Sequence, residues 1–384
     1  MVFLITLVIG FSDVVRVRNS AELLDAVRGA KPGRQILLEP GEYKGGVHIG
    51  NLHGKGGNPI VIAAVDPKNP PVFEGGGSAL QFSDVTYVDI RDLTIRNARN
   101  NGLNIDDGGS YDTPSHHINL KNIRVSDLPQ GNNDGIKLSG LDDFTIENCS
   151  VERWGGSGID MVGCHRGKIS GSTFRTGGSS GIQMKGGTSS VTVRRNTFDH
   201  VGERAVNIGG STGMPYFRPA IESIPAGRRY EAKDIVVEGN TFAGSMSPIA
   251  FVGVDGALVR FNTIYRPGRW AIRILQETNT PDFVPSRNGV FESNLIVFRS
   301  DSWASGGVNV GGGTEPSSFR FAKNFWFCED RADRSKPSLP TAEMDGVYGK
   351  DPQFIDSTQG DFRVKHGSPA RQVGTCGFRD KAVD

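Results

Sequence analysis

A segment reading apolar residue, outward-facing residue, apolar residue keeps returning along this chain, and each return follows another stretch of irregular, Gly-rich sequence. Its copies are Leu103-Asn104-Ile105, Ile136-Lys137-Leu138, Ile159-Asp160-Met161, Ile182-Gln183-Met184, Val206-Asn207-Ile208, Ile249-Ala250-Phe251, Ile272-Arg273-Ile274 and Val308-Asn309-Val310. From Ile136 to Ile159, Ile182 and Val206 the step is 23 or 24 residues, with wider gaps elsewhere for inserted loops. A second column, Ile95, Val125, Val151, Phe174, Phe198, Phe242, Ile264, Ile296 and Trp326, closes another short strand in each repeat. Two short strand signals per repeat, separated by turn residues and lacking helical periodicity, predict stacked coils of parallel β-structure, a parallel β-helix.

A single coil is too small to bury its own apolar residues, so it stacks on neighbours about 4.8 Å away and like residues pile into ladders. A polar column precedes the second strand by two or three places: Asp92, Asn122 and Asn148, then Asn196, Asn240, Asn262, Asn294 and Asn324. Asn at a repeated bend can bond its side chain to the next coil, and Gly serves the corners. There are 52 Gly in 384 residues, about twice the usual share. An open coil would expose an unpaired edge, so both ends need caps. The stretch 20–30 reads as an amphipathic capping helix, with Ser20 as N-cap and Leu23, Leu24 and Val27 on one face. Coils are expected over about 34–330, and a C-terminal cap over 345–384, with short strands at Asp351–Phe354 and Asp361–Val364 before a frayed polar tail. All of this makes one domain, 13–384, with no linker.

The stretch Ala30-Lys31-Pro32-Gly33, Ile36-Leu37-Leu38, Pro40-Gly41-Glu42-Tyr43, then Pro59-Ile60-Val61-Ile62 and Tyr87-Val88-Asp89-Ile90, resembles the opening of pectate-lyase-like right-handed β-helix proteins. The branch it resembles most holds chondroitinase B-like and alginate lyases. That resemblance implies an all-β, single-domain right-handed parallel β-helix, and polysaccharide lyase activity outside the cell. It departs from the family pattern at Arg34, where an Asp usually follows Pro-Gly.

Lys plus Arg number 43 against 42 acids, so nothing marks a nucleic-acid protein, and any anion-binding surface is local. Cys149, Cys164, Cys328 and Cys376 have no metal spacing; they read as buried thiols, with disulfides the alternative. The apolar run Met1–Gly10 reads as a truncated signal peptide (1–12) and is too short to span a bilayer. A secreted or periplasmic monomer is expected.

Alternate residues of a strand face opposite sides, so the middle residues of the triplets form one outward row: Asn104, Lys137, Asp160, Gln183, Asn207, Ala250, Arg273 and Asn309. Two residues further lies a second row that includes Asp106, Val162 and Lys185. Such a row can follow an extended acidic polysaccharide. The insertion after Asn207 adds Tyr216, Phe217, Arg218, Arg228, Arg229 and Tyr230, types suited to sugar stacking and carboxylate pairing; Trp270, beside Arg273, could stack similarly. β-Elimination on a uronic-acid polymer needs carboxylate neutralisation, a base and an acid. The resembled lyases use Lys and Arg on neighbouring coils with Ca²⁺ at the carboxylate, which implies Lys185 as base and Arg204 as partner, with Lys137 nearby. Their Glu-x-Glu calcium segment has no match here; Asp134 with Asp160, or Asp106 with Asp107, would be the oxygen ligands. Asn132-Asn133-Asp134-Gly135 resembles a polygalacturonase segment, so a hydrolase using Asp134 and Asp160 stays open, as does a non-catalytic glycan binder.

Overall fold

The structure is a computed structural model that describes residues 13–379; the expected signal segment 1–12 lies outside them. The chain winds into coils with three faces, and each face stacks as a parallel ladder. The first face comprises Leu103–Asp106, Ile136–Ser139, Ser157–Val162, Ser180–Lys185, Arg204–Gly209, Ser247–Val252, Ile272–Leu275 and Val308–Val310. The second runs from Val14–Val17 through Leu141–Glu147 and Ala232–Glu238 to Arg320–Ala322. The third begins at Glu42–Lys44 and ends at Val347–Tyr348.

Like residues do pile up inside. Phe174, Phe198 and Phe242 stack with ring centroids 4.9 and 4.8 Å apart and ring planes nearly parallel. A rung spacing near 4.8 Å is the inter-strand distance, so offset-stacked rings follow from the register itself. The polar column is two columns, one residue apart. Asp92, Asn122 and Asn148 occupy the corner with positive φ. Asn196, Asn240, Asn262, Asn294 and Asn324 occupy the next, fully buried position, which Leu93, Ile123, Cys149 and Ser172 hold in earlier coils. Asn240, Asn262, Asn294 and Asn324 each accept from the amide N–H and Nδ2 of the Asn one coil earlier, at 2.9–3.1 Å, and Asn196 accepts from the Ser172 N–H. Glu343 closes the ladder by accepting from Asn324.

The capping helix is shorter than expected, Ser20–Val27, and its N-cap is Asn19, whose side chain accepts the Glu22 N–H at 2.9 Å. Ser20 instead donates to Lys44 O. Leu23 and Ala26 are the buried pair, and Leu24 is exposed. Arg34 ties this cap together by bonding Asp13 and Ala26 O. At the other end the hairpin Phe354–Asp356 with Asp361–Val364 packs beside Tyr265, Leu295, Val297 and Phe325. Within the described residues the tail is packed down: Ala370 is buried, and Phe378 covers Gly239. All four cysteines are free, three of them buried; burial pushes the Cys149 and Cys164 thiols up to about 12.

Candidate functional site

The first face carries its outward residues in strict register. Asn104, Lys137, Asp160, Gln183, Asn207, Ala250, Arg273 and Asn309 pair rung to rung without a slip. A row to one side pairs Ser157, Ser180, Arg204 and Ser247. A row to the other side holds Asp106, Ser139, Val162 and Lys185. The expected elongated polar track therefore exists on one face.

Its centre is a charge cluster. Asp160 is only 1% exposed; one oxygen meets the Lys137 ammonium and the other lies 3.5 Å from Lys185 Nζ. Lys137 Nζ also lies 3.6 Å from Asp134, whose Oδ1 accepts the Ser157 N–H at 2.7 Å. Burial alone would lower the Lys137 pKa, but Asp160 and Asp134 together raise it. Lys137 is thus held charged, which removes it from the candidates for a base. Burial, then the Asp160 charge, raises the Asp134 carboxyl above the usual carboxylate range. A lysine ammonium occupies the place between these two carboxylates. Among the described residues no three acidic, His or Cys side chains come together to hold a metal.

Further along, Arg204 leans over its own strand, donating to Asn207 Oδ1 at 3.3 Å and to Glu277 at 2.7 Å. Arg273 donates to Asn309 Oδ1 at 3.0 Å. Trp270 is no open stacking platform for a sugar: it is 8% exposed, and the guanidiniums of Arg269 and Arg273 lie over its ring, 4.4 and 4.8 Å from the centroid.

The insertion after Asn207 does something other than expected. Arg218 is buried and forks onto Asp107, and also donates to Tyr216 O. It crosses the coil corners at Gly163 and Gly187, where a Cβ would strike Arg218. Arg229 donates to Ile224 O and Asp282, joining two loops. Tyr230 sits over the second face beside Lys233, and of these insertion residues only Tyr216 and Arg228 are exposed. Arg218, Arg229 and Tyr230 are thus fasteners of the fold, and their polar groups are spent on protein partners. Sequence reasoning missed Glu231, a fully buried carboxylate that accepts from Gly186 N, both donors of Thr212 and the Thr278 hydroxyl. It also missed Glu277 and Asp107 as partners, because no spacing rule connects them to the arginines they bind. A cleft of about 830 Å³ lies on the third face near the C-terminal hairpin. Its arginines are already matched, Arg175 with Asp199, Arg266 with Glu329 and Arg363 with Asp361, so it offers less to an anion than the first face.

A family model described as the right handed beta helix region matches residues 76–218. A search of curated proteins found no match. Among solved structures, the chain is similar to an alginate lyase from Paenibacillus sp., with 19% identity over 77% of this chain and 99% of that one, TM-score 0.55. It is similar to a PL6 family polysaccharide lyase from Pseudopedobacter saltans, with 12% identity over 94% and 99%, TM-score 0.55. It is also similar to a GH136 lacto-N-biosidase from Eubacterium ramulus, with 14% identity over 86% and 63%, TM-score 0.56. These likenesses establish the fold: the chain is a right-handed parallel β-helix.

Proposed function

We propose that the protein is a carbohydrate-active enzyme that lays a uronic-acid polysaccharide along the first face and cleaves it by β-elimination. The observation that carries this reading is that Lys185 and Arg204 project from adjoining rungs of one face, on opposite sides of the Gln183–Asn207 pair. In the reaction a base takes the proton next to the uronate carboxylate, charge grows on that carboxylate, and the bond to the leaving oxygen breaks as a C=C bond forms. Lys185 suits the base: Asp160 makes its close pair with Lys137 and meets Lys185 more loosely, at 3.5 Å. Arg204 offers charge for the carboxylate or the leaving oxygen, and Gln183 offers an amide to position the chain; Asn207, expected in the same role, is buried and supports Arg204 from below. Such a substrate, and the kinship of fold with polysaccharide lyases, fit a secreted or periplasmic protein; among the described residues no helix is long and apolar enough to cross a membrane.

One observation favours hydrolysis as a second reading. Burial and the Asp160 charge raise the Asp134 carboxyl, and both carboxyls meet the Lys137 ammonium; a raised carboxyl beside a second one can serve as a general acid. Incubation with a panel of uronic-acid polysaccharides separates the readings. Ultraviolet absorbance of an unsaturated product, abolished in Lys185→Ala while glycan binding persists, supports elimination. New reducing ends without that absorbance support hydrolysis, and binding with neither product marks a binder.

A further inference from the structure

We infer that Arg269, Trp270 and Arg273, with the Arg204 edge facing them, form a carboxylate-receiving subsite beyond the reaction centre, and that the protein therefore selects polyanionic over neutral glycans. This deepens the proposed function and rests on its reading of the first face as the glycan track.

The first observation is unmatched charge. Most arginines of this chain are ion-paired, including Arg153, Arg166, Arg218, Arg229, Arg260 and Arg287. Among the described residues Arg269 and Arg273 have no carboxylate within ion-pair distance; their contacts are the Trp270 ring and, for Arg273, Asn309. Two acids stand in the neighbourhood, Glu277 and Glu203. Glu277 is bonded to Arg204, and Glu203 is exposed. Three guanidiniums thus share two carboxylates, one of them solvated.

The second observation is unmet donors. Arg204 Nε and Trp270 Nε1 are buried and have no hydrogen-bond partner. Buried N–H groups are costly to leave unpaired. A cation–π contact orients a guanidinium while leaving N–H donors to be met by another group. Arg273 is also crowded: burial, then the Arg204 charge, lowers its pKa, a situation that a bound anion relieves. A planar carboxylate is the acceptor that a guanidinium fork matches best.

The third observation is position. Arg273 continues the row of Lys137, Asp160, Gln183 and Asn207, two rungs past Asn207, or roughly 10 Å. The rung between them carries the small Ala250, itself buried beneath its neighbours, so Arg273 is the next polar side chain that the row presents. A carboxylate held at Arg273 would therefore belong to the same polymer whose reacting unit lies over Lys185 and Arg204.

The test is isothermal titration calorimetry with a size-defined oligouronate, its methyl-esterified form, and a sulfated neutral oligosaccharide. We expect Arg273→Gln and the exposed Arg269→Gln each to weaken oligouronate binding about ten- to hundredfold, and the esterified form to bind the unaltered protein as weakly. Arg269 projects to solvent, so its substitution keeps the fold, which the thermal midpoint checks. Unchanged oligouronate affinity in both variants, equal binding of acid and ester, or no binding of the oligouronate overturns the inference; tighter binding of the sulfated probe than of the oligouronate overturns the carboxylate assignment. The two proposals fail separately. Arginine-dependent binding without any unsaturated product leaves the subsite standing and removes the lyase, while elimination with unaffected Arg269 and Arg273 variants does the reverse.

Discussion

Replacing Asp160 by Asn tests whether the centre of the face is an electrostatic unit. The change keeps the side chain's shape and removes one charge that two lysines share. Asp160 is 1% exposed, and the Lys137 and Lys185 side chains are 21% and 18% exposed, so solvent screens the cluster only partly. Two unit charges 4 Å apart interact by about 4 kcal/mol at an effective dielectric of 20, before desolvation is subtracted. Breaking a buried pair typically costs 3–5 kcal/mol, because the remaining charge is left without its partner. Lys137 keeps Asp134 at 3.6 Å, which puts the expected loss for Asp160→Asn at the low end, about 3 kcal/mol. The two changes remove partners of one contact, so Lys137→Met in the Asp160→Asn background should cost about 2 kcal/mol less than Lys137→Met alone. Equilibrium urea unfolding followed by circular dichroism measures the four proteins of the cycle. A cost below about 1 kcal/mol, or additivity of the two changes, refutes the reasoning.

The same pairing sets a pH limit. Lys137 has a folded pKa above its unfolded one, so its contribution is present below about pH 10.4 and is lost as pH rises through the folded value; stability measured from pH 8 to 11.5 should fall at the alkaline end, and less so in Lys137→Met. Asn262→Ala removes the acceptor for Asn240 N and Nδ2 and the donor to Val237 O. Three buried groups left unmet should cost about 3–5 kcal/mol in urea unfolding, whereas Asn122→Gly, at an exposed corner whose positive φ glycine tolerates, should cost under about 1 kcal/mol. Arg218→Ala leaves Asp107 buried and unpaired and should expose the loop 210–230 to limited proteolysis. Tyr230→Ala should leave oligouronate affinity unchanged in calorimetry, because the ring lies over the second face.

Periodicity made the first face readable, and its limits are instructive. Parallel stacking forces residue identity to repeat at fixed steps, so Lys137, Asp160, Gln183 and Asn207 could be aligned from spacing alone, and they align. Reading the polar residues as one column two or three places ahead of the strand merges two positions: Asp92, Asn122 and Asn148 fill a corner whose backbone favours Asn or Gly, while Asn196 and its successors fill an inward position. Both positions select Asn, for different reasons. The insertion was less readable still. Its arginines and tyrosines have the composition of a sugar site, yet Arg218 meets Asp107 across 111 residues of chain, and Glu231 pins Thr212 and Thr278 from within. No repeat links these partners, so composition could not separate a residue that holds the loop from one that would hold a ligand.

That distinction comes from where charge remains after the protein's own pairs are formed. Around Asp160 two lysines face two carboxylates, Asp160 and Asp134, and the cluster is internally neutral. Around Trp270 the balance is positive and buried donors go unmet. A polyanion gains most where it replaces missing partners and least where it must compete with existing ones. On the proposed reading the face is polarised along its length: the Arg269–Arg273 end would hold the polymer, and the Lys185–Arg204 rungs, where Asp160 restrains Lys185 and Glu277 restrains Arg204, would carry the chemistry.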